Sequence, residues 1–198
     1  MYLKIKRGID ILASCIGLVT LLPLFLILCV LVTLDSKGPI FFTQNRVGVN
    51  KSIFKIIKFR TMKIETPGEV PTHLLVNPDA YLTRLGRVLR KTSLDELPQL
   101  WNIFVGNMSL VGPRPALWNQ CELIEIRDRY DANSVLPGLT GLAQVQGRDE
   151  LSIEVKAKLD GEYVRNMSFL LDMKCILKTI GVVMKSEGFV EGAGHQRD

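Results

Sequence analysis

The segment ILASCIGLVTLLPLFLILCVLVTL, residues 11–34, carries no charge over 24 positions. A helix of about 20 apolar residues crosses a bilayer. Whatever folds around this stretch must therefore hold it in or against lipid. It is longer than the apolar region of a signal peptide, and no small-residue cleavage site follows, so it is expected to be retained. The simplest reading is one spanning anchor, but two features favour a re-entrant hairpin. Lys4, Lys6 and Arg7 precede the segment, and Lys37, Arg46, Lys51, Lys55, Lys58, Arg60 and Lys63 follow it. Lys and Arg favour the cytoplasmic side, and a spanning helix would send one basic flank outward. Pro23 also sits near mid-segment, where it removes a helical hydrogen bond and clashes with the Val19 carbonyl. Each half would then be about 18 Å long, enough to reach mid-bilayer and return.

Charge distribution agrees with this placement. Residues 1–63 hold 10 Lys/Arg against 2 Asp/Glu, while residues 64–198 hold 15 against 18. The basic part surrounds the apolar segment, which suits an anionic membrane surface. No aromatic-interleaved basic patch is present, so no nucleic-acid partner is expected. Cys15, Cys29, Cys121 and Cys175 form no Cys-x-x-Cys pair, which argues against a disulfide framework or zinc site and for a reducing compartment. His73 and His195 read as surface residues. We expect a membrane anchor over 1–36, a cytoplasmic domain over 37–190 and a tail over 191–198.

Within that domain, residues 38–62 read as two short strands around a Gly48-Val49-Asn50 turn. The prolines of 63–79 indicate a loop. Helices are expected over 80–91, after Leu97, over 115–130 and over 169–188. In the last, Phe169, Met173, Ile176, Leu177, Ile180 and Met184 form one stripe. It suits core packing or, beside a membrane anchor, the lipid surface. Residues 136–149 read as a structured loop. The fold class is α+β, with a broken N-terminal membrane helix pair, a short β-hairpin and amphipathic interfacial helices.

RKTSLDELPQL, residues 90–100, places Asp95 and Glu96 side by side. Ser93-x-x-Glu96 has the spacing of a capping box, which needs no function. With Ser93 as N-cap, Pro98 would fall inside the helix; with Asp95 as N-cap, it falls in the first turn and is tolerated. Either way the carboxylates would stand at a positive helix end. Neighbours on a helix do not face one another, so two separate roles are expected rather than a shared proton. Arg114 lies between two prolines in VGPRP. The sequence has no Ser nucleophile elbow and no Walker loop. These absences point toward phosphate chemistry run by carboxylates, arginines and a hard cation.

GPIFFTQNRVG, FKIIKFRTM, RKTSLDELPQLWNIFVGNMSLVGPRP and PGLTGLAQVQGR, in this order, resemble the signature blocks of the bacterial sugar transferases. These are small monotopic phosphoglycosyl transferases that begin glycan assembly on a polyprenol carrier. The resemblance runs from about residue 3 to about residue 188. It implies that Asp95 is a nucleophile toward the β-phosphorus of a UDP-sugar, typically an N-acetylated hexosamine or a deoxy derivative. UMP leaves, and undecaprenyl phosphate then takes up the phosphosugar. Glu96 matches the second acid of the dyad, and Mg2+ is the implied ion, held by Asp95 and Glu96. Arg90 and Arg114 match phosphate-contacting positions. Lys58, Arg60, Gln144, Arg148 and Asp172 match positions near the pocket. The setting implied is the cytoplasmic face of a bacterial inner membrane, in capsule, O-antigen, exopolysaccharide or glycoprotein glycan synthesis, with a homodimer admissible. Many members carry Ser-Pro at the kink where this chain has Leu22-Pro23, and Thr20 is the residue placed to satisfy a freed carbonyl instead. The competing class is a non-catalytic scaffold that binds anionic lipid through its basic surface.

Overall fold

The uncharged segment folds as parts of two helices. In the computed structural model, which describes residues 2–66, 78–147 and 150–185, α1 runs Tyr2–Thr20 and α2 runs Leu22–Asp35. They meet at Leu21 with a 62° bend. Pro23 falls in the first turn of α2, where its missing N–H costs nothing. Thr20 donates to the Ile16 carbonyl at 2.8 Å and so does not satisfy Val19, as the sequence had suggested. Among the described residues no single helix is long and apolar enough to cross a membrane; the bent pair meets that test only together.

The first helix is not wholly apolar. Lys6, Asp10 and Ser14 recur every four residues, so they share one face, and all three are buried. That face docks on the rest of the chain. Asp10 Oδ1 accepts the Leu110 N–H at 2.9 Å. Lys6 Nζ lies 2.5 Å from Asp172 Oδ2. Arg7 donates to the Ile103 and Phe104 carbonyls at 2.6 and 2.8 Å, satisfying the end of the helix against which α1 packs. Part of the basic flank assigned to lipid is therefore used inside the protein.

Strands β1 (Phe41–Val47) and β2 (Ile53–Phe59) form the expected antiparallel hairpin, with Phe42 opposite Lys58 and Arg46 opposite Phe54. Its turn uses left-handed backbone at Asn50 and Lys51. Phe59 closes a core with Leu28 and Val32 of α2 and Leu89 of α3 (Arg84–Lys91). The sequence suggested a start at residue 80 for this third helix. Thr83 delays it, because its side chain accepts the Gly86 N–H at 2.9 Å as an N-cap. After a 3-10 turn over Leu94–Glu96 come α4 (Gln99–Val105) and β3 (Ser109–Val111).

The helix expected over 115–130 is shorter, α5 at Cys121–Asp128. Residues before it are drawn to the hairpin: Val47 N–H donates to the Ala116 carbonyl at 2.9 Å, and Arg46 bridges Leu117. The region read as a loop over 136–149 contains β4 (Gly138–Thr140), parallel to β3, and a short helix α6 (Leu142–Gln146). Gly138 is required by closeness, since a Cβ there would lie 2.1 Å from the Gly112 nitrogen. Helix α7 (Ile153–Arg165) and α8 (Phe169–Lys185) follow. Among the described side chains of α8, Asp172 and Cys175 are buried, while Phe169, Leu177 and Ile180 of the apolar stripe are exposed. Ile176 of the same stripe packs against the core cluster of Val111, Leu142, Tyr163 and Cys175, so the stripe is divided between core packing and an exposed apolar edge. The chain is α+β, as read. The expected loop over 63–79 and tail over 191–198, with His73 and His195, fall mainly outside the described residues.

Candidate active site

Leu94 and Leu97 explain where the carboxylate pair stands. Both pack against the cluster of Leu28, Val32, Phe59 and Leu89, so the turn carrying Asp95 and Glu96 is fixed against α2, β2 and α3. Neither cap suggested by the sequence forms. Ser93 takes the left-handed conformation (φ 57°) and makes no side-chain cap hydrogen bond. The carboxylates occupy a 3-10 turn, and Pro98 itself is the N-cap of α4.

Two basic side chains from different parts of the chain converge on this turn. Lys58 of β2 donates to Glu96 Oε1 at 2.6 Å and lies 3.7 Å from Asp95 Oδ2. Arg114, from the loop after β3, donates to the same Glu96 oxygen at 2.8 Å. Arg90, in the last turn of α3, donates through Nε to Thr61 Oγ1 at 2.9 Å, and its charge favours ionised Asp95. Five residues picked from sequence thus share one charge cluster.

The two acids differ electrostatically. Burial pushes Asp95 above the ordinary carboxylate value; Lys58 opposes this, and the Glu96 charge adds to it. Burial also penalises the charged form of Glu96, but Arg114 and Lys58 outweigh it by charge and hydrogen bonding. Glu96 is held well below its usual range. The pair therefore contains one settled anion and one acid whose ionised form lacks full compensation, which fits two roles.

Among the described residues no group of three or more His, Cys, Asp or Glu could hold a metal by itself. Mg2+ is normally bound by one or two carboxylates together with substrate phosphates, and Asp95 with Glu96 matches that partial donor set. The burial penalty on Asp95 is one that a cation would relieve.

Other residues picked from sequence lie apart from the cluster or beside it. Arg60 donates to the carbonyls of Ser36 and Lys37 at 2.6 Å and of Val32 at 3.3 Å, closing the end of α2. Gly38 permits that approach with φ +126°, and a Cβ there would collide with the guanidinium. Asp172 accepts from Lys6, from Tyr2 at 2.6 Å and from Tyr163 at 2.7 Å. None of these partners belongs to the carboxylate cluster. Gln144 is buried with both amide atoms unpartnered. It borders Gly112, which leads to Arg114: a Cβ on Gly141 would lie 2.1 Å from the Gly112 carbonyl oxygen and 2.7 Å from Gln144 Oε1. Arg148 lies outside the described residues.

Arg46 was not picked from sequence as a site residue. It lies close enough to Arg114 and Glu96 to feel both charges and donates to the Pro115 carbonyl at 3.1 Å and to Gln44 Oε1 at 2.8 Å. A signal was present in QNR, because residues two apart on a strand share a face. Counting Arg46 only as basic flank concealed it.

A family model described as bacterial sugar transferase matches residues 1–186. The exopolysaccharide production protein ExoY of Rhizobium meliloti (strain 1021) is 40% identical over 202 residues, covering 92% of this chain and 87% of that protein. The UDP-N-acetylgalactosamine-undecaprenyl-phosphate N-acetylgalactosaminephosphotransferase of Aeromonas hydrophila is 38% identical over 196 residues, covering 95% of this chain and 45% of that protein. The undecaprenyl-phosphate glucose phosphotransferase of Komagataeibacter xylinus is 40% identical over 187 residues, covering 88% of this chain and 35% of that protein.

Proposed function

This chain belongs to the bacterial sugar transferase family, and on that premise we propose how its carboxylate cluster works. The protein is a phosphoglycosyl transferase of polysaccharide biosynthesis. The reaction we assign is transfer of a sugar-1-phosphate from a UDP-sugar to undecaprenyl phosphate, giving undecaprenyl-diphosphate sugar and UMP. The scaffold reading is set aside by the family assignment.

The observation that carries the mechanism is the unequal settlement of Asp95 and Glu96. Asp95 is the proposed nucleophile. Its carboxylate oxygen bonds to the β-phosphorus of the donor. The bond from that phosphorus to the oxygen bridging the α-phosphorus breaks, and UMP departs with the bridging oxygen and the electron pair. The phosphate oxygen of the polyprenol then bonds to the same phosphorus, the aspartyl–phosphorus bond breaks, and Asp95 is regenerated as a carboxylate. Lys58, Arg90 and Arg114 neutralise phosphate charge around the exchange. Glu96 holds Lys58 and Arg114 in place. Gln144, with its buried amide atoms unpartnered, is a candidate ligand for the donor. Asp95 and Glu96 would hold Mg2+, which would supply charge neutralisation for the donor diphosphate.

The anchor explains the acceptor. Apolar residues at the bend, including Val19 and Leu22, are exposed, and the same α2 core that seats Leu94 and Leu97 ties them to the cluster. A re-entrant pair, with both ends cytoplasmic, sets the cluster at the height of a lipid phosphate. Exposed apolar residues on α4 and α8, such as Trp101 and Leu177, suit the same interface. Cysteines placed at Lys4 and Lys37 should both resist labelling by an impermeant reagent added outside intact cells. Labelling of K4C alone would sink the re-entrant reading.

UMP release by purified protein, with Mg2+ and undecaprenyl phosphate, across a panel of UDP-sugars tests the reaction. N-acetylated hexosamines and their deoxy derivatives are the expected donors, with glucose and galactose as the contrasting arms. Release should stop with EDTA and return with Mg2+. With labelled donor and no acceptor, mass spectrometry should find the phosphosugar on Asp95. Release without any such adduct under rapid quench would reject the covalent route.

A further inference from the structure

Arg114 reaches Glu96 from a short loop held between two prolines. Pro113 and Pro115 fix their own φ angles, so the course of that loop depends on where its ends are tied. Val111, just before it, is tied by β3 pairing, opposite Thr140. The other end is tied to β1. Val47 N–H donates to the Ala116 carbonyl at 2.9 Å, Arg46 bridges Leu117, and Arg46 Nη1 donates to the Pro115 carbonyl at 3.1 Å. Gln44 Oε1 accepts from Arg46 Nη2 at 2.8 Å and steadies the guanidinium from its own strand. Arg46 Nε is buried without a partner.

Local electrostatics do not account for Arg46 standing there. Burial and the like charge of Arg114 both work against it, and only Glu96 favours it. What holds the guanidinium is its two-point contact with Gln44 and Pro115. The contact joins the loop that carries Arg114 to the same hairpin that carries Lys58. Both basic groups on Glu96 are thereby set from one rigid element.

We infer that Arg46 is a positioning residue for the transfer, holding Arg114 in register with Glu96 and the donor diphosphate by clamping the Pro115 carbonyl. This rests on the reaction proposed above. Lysine keeps the charge but has no planar fork to span Gln44 and Pro115 together. R46K should therefore lower kcat/KM for UMP release by about 10- to 100-fold, the scale of a misplaced binding group. Its melting temperature should stay close to that of the wild type.

The deciding measurement is a double-mutant cycle with R114A. If Arg46 acts through Arg114, R46K should change kcat/KM by less than about twofold on the R114A background. Q44L, which leaves Arg46 in place and removes one support, should show the same dependence with a smaller loss. The same factor for R46K in both backgrounds would overturn the inference, as would wild-type kcat/KM in R46K. Absence of UMP release from the wild-type protein with every donor would instead overturn the reaction on which the inference rests.

Discussion

Asp172 and Asp95 are buried to a similar degree, 5% and 7% exposed, yet they sit in opposite circumstances. Asp172 accepts from a lysine and two tyrosines, joining Tyr2 and Lys6 of α1 to Tyr163 of α7. It closes a clamp between α1 and the rest of the chain. Asp95 has Lys58 at 3.7 Å, and that lysine is engaged more closely by Glu96. Buried charge is tolerated when it is paired and hydrogen-bonded. Where the pairing is complete, an acid is structural. Where it is deliberately short, the acid retains capacity for a ligand or a reaction.

The sharpest way to break this contrast is D95N. It should abolish UMP release, a loss of about 10^3-fold or more by analogy with removal of other catalytic nucleophiles. It should not destabilise the fold. Burial raises the Asp95 carboxyl, so its ionised form costs stability at neutral pH, and a neutral amide removes that cost. A melting temperature equal to or about 2–4 °C above wild type is expected; a clear drop would make Asp95 a structural acid like Asp172.

K6M should do the reverse. It leaves Asp172 buried without its cation, at a cost of about 3–5 kcal/mol. Urea or thermal unfolding of the detergent-solubilised protein would report this, and the folded fraction should lose far less turnover than D95N. A negligible change in stability would remove the clamp from one side of the comparison.

Glu96 tests the middle ground. Its folded pKa is depressed, so its stabilisation is present above the unfolded value of about 4.3 and is lost as pH falls below that range. From pH 7 to pH 3 the wild type should therefore lose more stability than E96Q, with E96Q already less stable at pH 7. Parallel curves would show that Lys58 and Arg114 contribute nothing to holding it ionised. The smallest effect is expected from Lys51–Asp128, an ion pair at 2.8 Å with both side chains about half exposed. K51A should change stability by less than about 1 kcal/mol.

Much of the site was legible in the chain. The Asp95-Glu96 pair, the isolated Arg114 and Lys58 on a predicted strand all reach one cluster. Where the structure departs from the expectations, tertiary contacts are the reason. Arg60 and Asp172, expected near the pocket, are engaged outside the carboxylate cluster: Arg60 closes the end of α2 and Asp172 completes a clamp. Ser93 has capping spacing, but its left-handed backbone excludes the box. Helical periodicity over 115–120 gives way to pairing with the hairpin, and the segment read as a loop over 136–149 contains a strand because β3 lies beside it. The sequence reading assigned no element to the stretch now occupied by α7, where polar and apolar residues alternate too loosely to announce it.

By itself, the sequence determined the uncharged segment and its proline break, the β-hairpin and the acidic pair. Each rests on short-range rules: hydropathy over one segment, strand alternation, and the identity of adjacent side chains. Tertiary structure decided which charges are consumed in packing and which remain for chemistry. That choice depends on partners as far apart as Lys6 and Asp172, or Arg46 and Pro115. Only closing the chain brings their opposing charges and hydrogen-bonding groups within reach, so local sequence cannot specify it.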